Sequence, residues 1–333
     1  MKSFKNLLRI VVITLSMCVI VLSLLSLFHD LKLWYFKILD FPRFQYLIIA
    51  IVLFVTFLFL TKKWRFPAVF LCLGLLVSIV IQGRLILPYY LGEKKVPDAT
   101  VDKITKDNKI SALIANVLVT NKNSQEFLQL IKTSNPDLIL AMEVDNWWID
   151  QLQILKNNYP YFMEFPLDNA YGMALYSKLR LTNDNIIFLN QDDVPSFHAE
   201  ITLNSGESIQ FHGVHPVAPV PSDRYPDNVG KEEVALAKVG DMVSKDTIPV
   251  IVAGDFNDVS WSDTSRLFEK NGDLKNVRIG RGIYSSFDVN SPFLRWPLDH
   301  FFVTKQFSLS KLERLPGFGS DHFPMLAEFV LLD

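Results

Sequence analysis

A carboxylate and a carboxamide follow an apolar run in the second half of the chain, where Gly254-Asp255-Phe256-Asn257 succeeds residues 248–253. The run predicts a short buried strand, since it is apolar and bounded by proline and glycine. Side chains of these two types, presented together at a strand end, can hold water and a phosphate group. An ordinary turn explains the same tetrapeptide, because Asp and Asn side chains bond nearby backbone groups. Other polar strand ends in the chain decide between these interpretations.

Several more apolar runs end or begin at a polar residue of a type that can do chemistry. We interpret each run as a strand that brings its terminal side chain to a common edge. These residues are Asn116 after residues 110–115, Glu143 after residues 137–142, His215 after residues 208–214, Asp299 before residues 301–303, and Asp321-His322 before residues 325–330.

Taken in order with Asp255 and Asn257, these motifs resemble those of the endonuclease/exonuclease/phosphatase superfamily, which has the DNase I-like fold. The resemblance covers roughly residues 108–333. It implies an α+β fold, a four-layer α/β-sandwich in which two packed β-sheets are flanked by helices. It also implies a hydrolase acting on ester bonds, a class that contains phosphodiesterases, phosphatases and nucleases.

Three of these residues are candidate metal ligands. Glu143 is a hard oxygen ligand and Asn116 can add a carbonyl oxygen, while the resemblance assigns Asp321 to the metal side of the site. Such ligands suit Mg²⁺ or Mn²⁺. Some nuclease members carry an acid two residues after the first Asn, where this chain has Leu118. We therefore predict one ion.

The remaining five residues are candidate catalytic groups. His322 is the predicted general base, because imidazole titrates near neutral pH and can take a proton from attacking water. The resemblance implies that Asp299 orients His322 and that His215 donates to a non-bridging phosphate oxygen or to the leaving group. It also implies that Asp255 and Asn257 hold water and phosphate in line. Positioning and charge stabilisation carry most of the rate in such reactions.

Two further groups of residues have weaker assignments. Arg224 and Tyr225 lie in the proline-rich loop after His215 and are candidate substrate contacts, with a plain surface loop as an equal alternative. His212 and His300 stand at odd spacings from their candidate neighbours, so each points to the opposite strand face. We expect both to be structural.

Apolar sequence is concentrated at the N-terminus of the 333-residue chain, half of which is hydrophobic. Residues 1–91 are predicted to form a membrane region with three transmembrane helices at residues 7–28, 44–61 and 66–83. The first stretch has 22 residues, enough to cross a hydrocarbon core of about 30 Å. A cleaved signal peptide explains its basic start, but the stretch is too long and lacks a small-x-small site. Buried helices of a soluble domain would carry a charged face.

Basic residues near the spans do not fix the orientation, since six lie on each side of the membrane. The dense cluster at residues 62–65 and the usual dominance of the first helix favour an N-terminus inside the cell. Three spans then put the catalytic domain on the non-cytoplasmic side. Residues 92–107, which are polar and charged, are predicted to be a tether to a catalytic domain at residues 108–333.

The distribution of charge along the chain bears on the class of substrate. Residues 1–96 contain 12 Lys and Arg and 3 Asp and Glu residues, whereas the remainder contains 21 and 32, a balance of −11. Proteins that hold duplex DNA without reading its sequence use a basic face. A local patch at Arg278, Arg281 and Arg295 leaves nuclease activity open. Both cysteines lie in the apolar spans, so the catalytic domain has no disulfide framework.

The sequence therefore predicts a membrane-anchored, metal-dependent phosphoesterase that hydrolyses a phosphodiester or phosphomonoester by in-line water attack. A lipid head group or another small phosphoester near the bilayer is the favoured substrate, and no obligate protein partner is inferred. A divalent-metal-dependent endo- or exonuclease is one alternative. A catalytically inactive membrane-bound binding module is the other, disfavoured because the site retains both histidine and aspartate.

Helices and further strands complete the prediction. Asn123 and Glu126 are expected to cap a helix that ends before Asn135, and two more helices are expected around residues 148–155 and 236–243. Further strands are predicted at residues 172–177, 186–189 and 198–203. These elements would place helices outside the sheets that carry the candidate site.

Overall fold

The computed structural model describes residues 2–28, 34–100, 102, 105, 107–227 and 234–332. The chain divides into two compact units, Met1–Gly92 and Glu93–Asp333. The apolar N-terminal sequence forms the first unit, and the sequence that contains the polar strand ends forms the second.

The N-terminal unit is helical. Three of its helices are long and apolar enough to cross a membrane, over Phe4–Leu25, Arg43–Leu60 and Phe66–Ile86. A short 3₁₀-helix at Ile38–Asp40 precedes the second of them. The α-helices are α1 (Lys2–Leu25), α2 (Trp34–Lys37), α3 (Arg43–Leu60), α4 (Phe66–Ile86) and α5 (Pro88–Leu91).

One buried arginine joins the ends of the three long helices. Arg43 at the start of α3 is fully buried. Its Nε donates to Asp40 Oδ1 at 2.8 Å, and its Nη1 donates to Ser26 Oγ and Gln82 Oε1, each at 3.0 Å. Because a buried charge needs paired and hydrogen-bonding partners, this network stabilises one arrangement of α1, α3 and α4.

The second unit alternates strands and helices. Its helices are α6 (Ser124–Ser134), α7 (Asn146–Leu152), α8 (Ala235–Val243) and α9 (Asp263–Asn271), with a 3₁₀-helix at Gln153–Asn157. Its strands are β1 (Lys109–Asn116), β2 (Leu138–Met142), β3 (Tyr161–Phe165), β4 (Met173–Ser177), β5 (Arg180–Phe188), β6 (Pro195–Thr202), β7 (Ser208–Gly213), β8 (Val250–Asp255), β9 (Lys275–Asn276), β10 (Asp299–Val303), β11 (Phe307–Arg314) and β12 (Met325–Leu331).

The strands form two six-stranded sheets with orders β11-β12-β1-β2-β4-β3 and β5-β6-β7-β8-β10-β9. Each sheet is mixed. In the first, β1 and β2 are parallel, and in the second, β7 and β8 are parallel, while the other neighbours are antiparallel. Parallel neighbours end at the same edge, so each sheet gathers two strand ends at one side of the unit.

Apolar side chains from both sheets pack against one another between them. Leu140, Phe211 and Phe301 belong to this inter-sheet core. Helices cover the outer faces: Trp148 of α7 packs on the first sheet and Val239 of α8 on the second. The predicted sandwich of two packed sheets flanked by helices is confirmed.

Predicted local elements agree with the structure in position more than in detail. Helices occur at each of the three expected places, as α6, α7 with its following 3₁₀-helix, and α8. The expected cap of α6 is wrong, because Asn123 precedes the helix but makes no side-chain capping hydrogen bond. Strands β3, β9 and β11 and helix α9 are not among the predicted elements.

The tether predicted at residues 92–107 differs from the structure in its first half. Val96 is buried in the inter-sheet core, and the backbone of Pro97 and Ala99 pairs with Leu309 of β11. Asp98 forms an ion pair with Arg281 at 2.6 Å. These residues extend the edge of the first sheet, so they belong to the second unit. Residues 101, 103, 104 and 106 of the predicted tether lie outside the described residues.

Candidate functional site

Strand pairing brings the polar strand ends to one edge of the second unit. Asn116 is the last residue of β1, and Glu143 directly follows β2, its parallel neighbour. In the other sheet, Asp255 at the end of β8 and Asp299 at the start of β10 are paired directly across the ladder. Asp321 and His322 precede β12. The first residue of β12, Met325, pairs with Ile114 near the end of β1. The edge therefore collects side chains from both sheets.

Unusual backbone conformations aim several of these side chains. Glu143 and Asn257 have left-handed φ values of 62° and 50°, and Leu118 has one of 58°. Gly254 has a φ of 147°, and a Cβ there would lie 1.9 Å from the carbonyl oxygen of Val214. Such conformations are costly for most residues and cluster at functional sites. Only glycine fits before Asp255.

Asn116 joins the two sheets through its amide nitrogen. Its Nδ2 donates to Glu143 Oε1 at 2.8 Å and to Asp255 Oδ2 at 3.0 Å. Its Oδ1 accepts from the backbone N–H of Leu118 at 3.0 Å. The N–H of Leu118 fixes the orientation of the amide, while Oδ1 keeps a second lone pair, so the role of Asn116 as a metal ligand stays a prediction. In this arrangement Asn116 also orients two carboxylates.

Asp255 lies at the centre of the site. Its backbone N–H contacts Met142 Sδ of the other sheet at 3.0 Å, and its Oδ1 accepts from the N–H of Asn257 at 2.8 Å. Its Oδ2, which accepts from Asn116, lies 3.6 Å from His322 Nε2 and 3.8 Å from His215 Nε2. Three nitrogen atoms thus converge on one carboxylate oxygen.

His322 is held on its other side by Asp299. The distance from His322 Nδ1 to Asp299 Oδ2 is 2.7 Å. Ser286 Oγ accepts from the backbone N–H of Asp299 at 3.1 Å, and Ser320 Oγ accepts from that of His322 at 3.1 Å. Ser320 also donates to the carbonyl oxygen of Asn116 at 2.7 Å. The two serines position the dyad, and sequence reasoning had given neither a role.

Burial and charge set the protonation of the site. Burial opposes the charging of His322, but the carboxylates of Asp299, Asp255 and Asp321 raise its pKa to about 10. Burial lowers the pKa of His215 to about 4 and raises that of Glu143 to about 7. At neutral pH and without a metal ion, His322 is therefore an imidazolium, whereas His215 is a neutral imidazole.

The site contains acidic and histidine groups that could hold a metal ion. Ligand atoms of Asp255, Asp299 and His322 lie within 4.8 Å of one another. This set differs from the predicted one, and a hydrogen bond already joins two of its members. Glu143 is a better first ligand, since its oxygens accept only from neutral N–H donors and the carboxylate of Asp321 is close enough to raise its pKa further. Clustered hard oxygen atoms suit a divalent cation.

Aromatic rings pack against both histidines of the site. The ring of Tyr171 lies 4.9 Å from that of His215, and the ring of Phe287 lies 4.9 Å from that of His322. Tyr171 is buried with Tyr225, Val194 and Val217 in a small apolar cluster. Sequence reasoning missed both rings, because neither stands at the end of an apolar run.

The two candidate substrate contacts have different environments. Tyr225 packs in the cluster that supports His215, as described above, whereas Arg224 is exposed and stacks over the Tyr225 ring at 5.2 Å. Arg224 therefore presents its charge to solvent, and Tyr225 packs against the apolar cluster. Residues 228–233 of this loop lie outside the described residues.

The histidines expected to be structural make hydrogen bonds away from Asp255. His212 Nδ1 contacts His198 Nδ1 at 2.6 Å, and its Nε2 contacts Asp246 Oδ2 at 3.1 Å. His300 bonds the buried guanidinium of Arg278 and the carbonyl oxygen of Asp258. Each ring points to the opposite strand face from the cleft residues beside it.

The arginines suggested as a local basic patch do not form one. Arg278 is buried against His300 and the carbonyl oxygen of Asp299. Arg281 is paired with Asp98, as part of the contact that docks the chain before β1. Arg281 and Arg295 are both half-buried. The predicted patch is wrong because two of its members are committed to internal contacts.

Comparisons with known proteins agree with this geometry. The model of the Endonuclease/Exonuclease/phosphatase family matches residues 113–322. No curated protein sequence matches the chain. Similar solved structures include a humanised D. rerio TDP2, with 17% identity, a TM-score of 0.53, and coverage of 67% of this chain and 99% of that chain.

Two further solved structures have the same fold, with similar sequence identities and TM-scores. The human Nocturnin catalytic domain with bound sulfate anion has 18% identity and a TM-score of 0.54, over 68% of this chain and 96% of that chain. An endonuclease/exonuclease/phosphatase from Bacteroides vulgatus has 18% identity and a TM-score of 0.52, over 67% and 99%. The chain belongs to the Endonuclease/Exonuclease/phosphatase family, whose members are hydrolases acting on phosphoester bonds.

Proposed function

We propose that this protein is a membrane-anchored, divalent-metal-dependent phosphoesterase that hydrolyses a phosphodiester or phosphomonoester by in-line attack of water. The observation that carries the proposal is the convergence of Asn116 Nδ2, His215 Nε2 and His322 Nε2 on Asp255 Oδ2, beside the buried carboxylate of Glu143. Donors and carboxylates gathered in a buried cleft match what a phosphoryl group and its attacking water require.

The proposed metal ligands are Glu143 and Asp321, with Asn116 orienting Glu143. One ion, Mg²⁺ or Mn²⁺, fits this small set of hard oxygen atoms, which leaves positions for water. When bound, such an ion withdraws charge from a phosphoryl oxygen. Leu118, which stands where a second acid would be needed, supports a single ion.

The protein groups have distinct proposed roles. His322, oriented by Asp299, accepts the proton of the attacking water, and added positive charge in the cleft would lower its pKa. His215, neutral at physiological pH, donates from Nε2 to a phosphate oxygen or to the leaving group. Asp255 and Asn257 hold water and phosphate in line, and Arg224 meets the substrate from the neighbouring loop.

A small or membrane-bound phosphoester is the proposed substrate class. The acidic second half of the chain and the internal engagement of Arg278 and Arg281 both disfavour a long duplex, which needs many exposed cations. The three apolar helices support a multi-pass membrane protein. We infer a non-cytoplasmic catalytic unit, which protease protection in sealed vesicles of known orientation tests.

A panel of phosphoesters assayed with the full chain in detergent tests the proposed function. Phospholipids, a soluble bis-aryl phosphodiester, nucleotides and plasmid DNA are incubated with Mg²⁺ or with a chelator. We expect metal-dependent hydrolysis of a lipid or small ester that His322→Ala and Asp255→Asn each reduce more than about 100-fold. Cleavage of DNA alone would favour the nuclease alternative, and no turnover of any substrate would favour an inactive binding module.

A further inference from the structure

An apolar loop protrudes beside the cleft. Phe293 is 83% exposed and its neighbour Leu294 is 54% exposed. No other large apolar side chain in the described part of the second unit is as exposed as Phe293. Adjacent exposed apolar side chains on a soluble surface mark a contact site for something apolar. We call residues 289–295 the apolar tip.

Hydrogen bonds hold the apolar tip in its shape. Arg295 Nε donates to the carbonyl oxygen of Asp288 at 3.0 Å, and its Nη2 donates to that of Val289 at 2.8 Å. Ser291 Oγ accepts from the N–H of Leu294 at 2.9 Å. Because these bonds close the loop across its base, its apolar side chains are presented outward by an ordered backbone.

The apolar tip begins at the wall of the cleft. The N–H of Val289 donates to the carbonyl oxygen of Asp321 at 2.8 Å. Phe287, two residues earlier, packs on the ring of His322 and pairs with Trp296 on the far side of the loop. The base of the tip is therefore joined to Asp321 and stands beside His322.

Two cations, one in the apolar tip and one on β11, lie over the ring of Phe323. The guanidinium groups of Arg295 and Arg314 lie 4.9 Å and 4.5 Å from the centre of the Phe323 ring. Apolar residues beside basic ones are the composition of elements that lie in the interface of a bilayer with anionic lipids. The same chain carries three helices apolar enough to anchor it in a bilayer. These observations favour a lipid surface over a protein partner.

We propose that the apolar tip enters the headgroup region of the bilayer and presents the cleft to membrane phospholipids as substrates. This inference rests on the proposed phosphoesterase function and narrows its substrate class. Water adds to phosphorus, one phosphoester P–O bond breaks, and the departing oxygen takes a proton. The membrane anchor keeps the tip at a high local concentration of lipid, so weak insertion suffices.

Two substrates assayed side by side test the inference. The full chain is placed in nanodiscs of phosphatidylglycerol and phosphatidylcholine, and hydrolysis of these lipids is compared with that of a soluble bis-aryl phosphodiester. The double variant Phe293→Ala/Leu294→Ala should lower lipid hydrolysis about tenfold, since it removes two apolar anchors, and leave the soluble ester within about twofold. Ile154→Ala, which truncates a side chain 62% exposed on another element, should change neither rate.

The outcomes separate this inference from the function on which it rests. Hydrolysis of the soluble ester without hydrolysis of either lipid, or an equal loss of both activities in the double variant, overturns the role of the tip. Failure of wild type on both substrates overturns the phosphoesterase itself for these esters, and insertion is then judged by a measurement that needs no turnover.

Fluorescence quenching provides that measurement. A fluorophore is attached at Leu294→Cys in a Cys18→Ser background, where the remaining Cys72 is buried, and the nanodiscs contain phospholipids that bear a quencher near the headgroup. We expect strong quenching at position 294 and little at Ile154→Cys. Equal quenching at both positions, or none at position 294, contradicts insertion.

Discussion

The imidazole of His322 and the carboxylate of Asp299 form a buried dyad with Nδ1 and Oδ2 2.7 Å apart. Asp299→Asn keeps the shape of the side chain but removes the charge that stabilises the imidazolium and can favour the wrong tautomer. We expect kcat to fall by about 10²- to 10⁴-fold, with KM little changed. Steady-state kinetics on the best substrate of the panel measures both. Asp273→Asn, at an exposed carboxylate, is the matched control, and equal effects of the two would refute the dyad.

The proposed metal site includes the buried carboxylate of Glu143. Glu143→Gln keeps the size of the side chain but removes the negative charge, and its single acceptor oxygen serves Asn116 Nδ2 or the N–H of Val119, not both as Glu143 does. Divalent-ion binding should therefore weaken at least about 100-fold. Isothermal titration of the metal-free chain with Mn²⁺ should give one ion in wild type. A stoichiometry of two would show that the single-ion prediction is wrong.

Stability of the metal-free protein should decrease as pH rises above neutrality. The folded pKa of His322, about 10, lies above its ordinary value of about 6.5, so the folded state binds the proton more tightly. This contribution is complete below about pH 6.5 and is lost as pH rises toward 10. Thermal unfolding in chelator between pH 6 and 10 should show the loss in wild type and a smaller one in Asp299→Asn. If the unfolding temperatures of wild type and Asp299→Asn fell in parallel with pH, the assignment of this pH dependence to His322 would be wrong.

The backbone at Gly254 admits no side chain. A Cβ there would meet the carbonyl oxygen of Val214 at 1.9 Å, at a φ of 147°. Gly254→Ala should therefore destabilise the protein by about 2 kcal/mol or more and displace Asp255, with loss of activity. Gly206→Ala is the control, since its φ is also positive but nothing lies within 4 Å; it should cost about 1 kcal/mol and leave activity intact.

Acid should destabilise the second sheet through His198. Burial, and then the neighbouring His212, lower the pKa of His198 to about 3, below the value of about 6.5 in an unfolded chain. The unfolded state thus binds the extra proton as pH falls from 6.5 toward 3, and stability declines over that range. His198→Gln should flatten this part of the pH profile of thermal unfolding. An unchanged slope would mean that other groups control acid unfolding.

The placement of these polar side chains at strand ends could be predicted from sequence because strand ends are local signals. An apolar run followed by Asn116 or Asp255 predicts both a strand and its terminal side chain. The order of such motifs along the chain indicated the family. The hydrogen-bond partners of these side chains could not be predicted where they come from distant parts of the chain. The amide nitrogen of Asn116 faces two carboxylates because the N–H of Leu118, a residue in a left-handed conformation, donates a hydrogen bond to the amide oxygen.

Elements that depend on tertiary packing were also missed. Strand β11 carries exposed and charged residues because it lies at the edge of its sheet, so its apolar alternation is weak. The arginines near residue 280 resemble surface charges in sequence, yet Arg278 is buried through contacts with His300 and Asp299. Val96 lies in a polar stretch of sequence, so its burial follows from its packing in the inter-sheet core and not from a local pattern.

The hydrogen bond from Asn116 to Asp255 crosses from one sheet to the other, so the cleft depends on strands that lie far apart along the chain. His322, which completes the cleft, follows every other site residue in order of synthesis. A ribosome-bound chain shorter than this point has no assembled site. The cleft is therefore completed late in synthesis, after the apolar helices have been made.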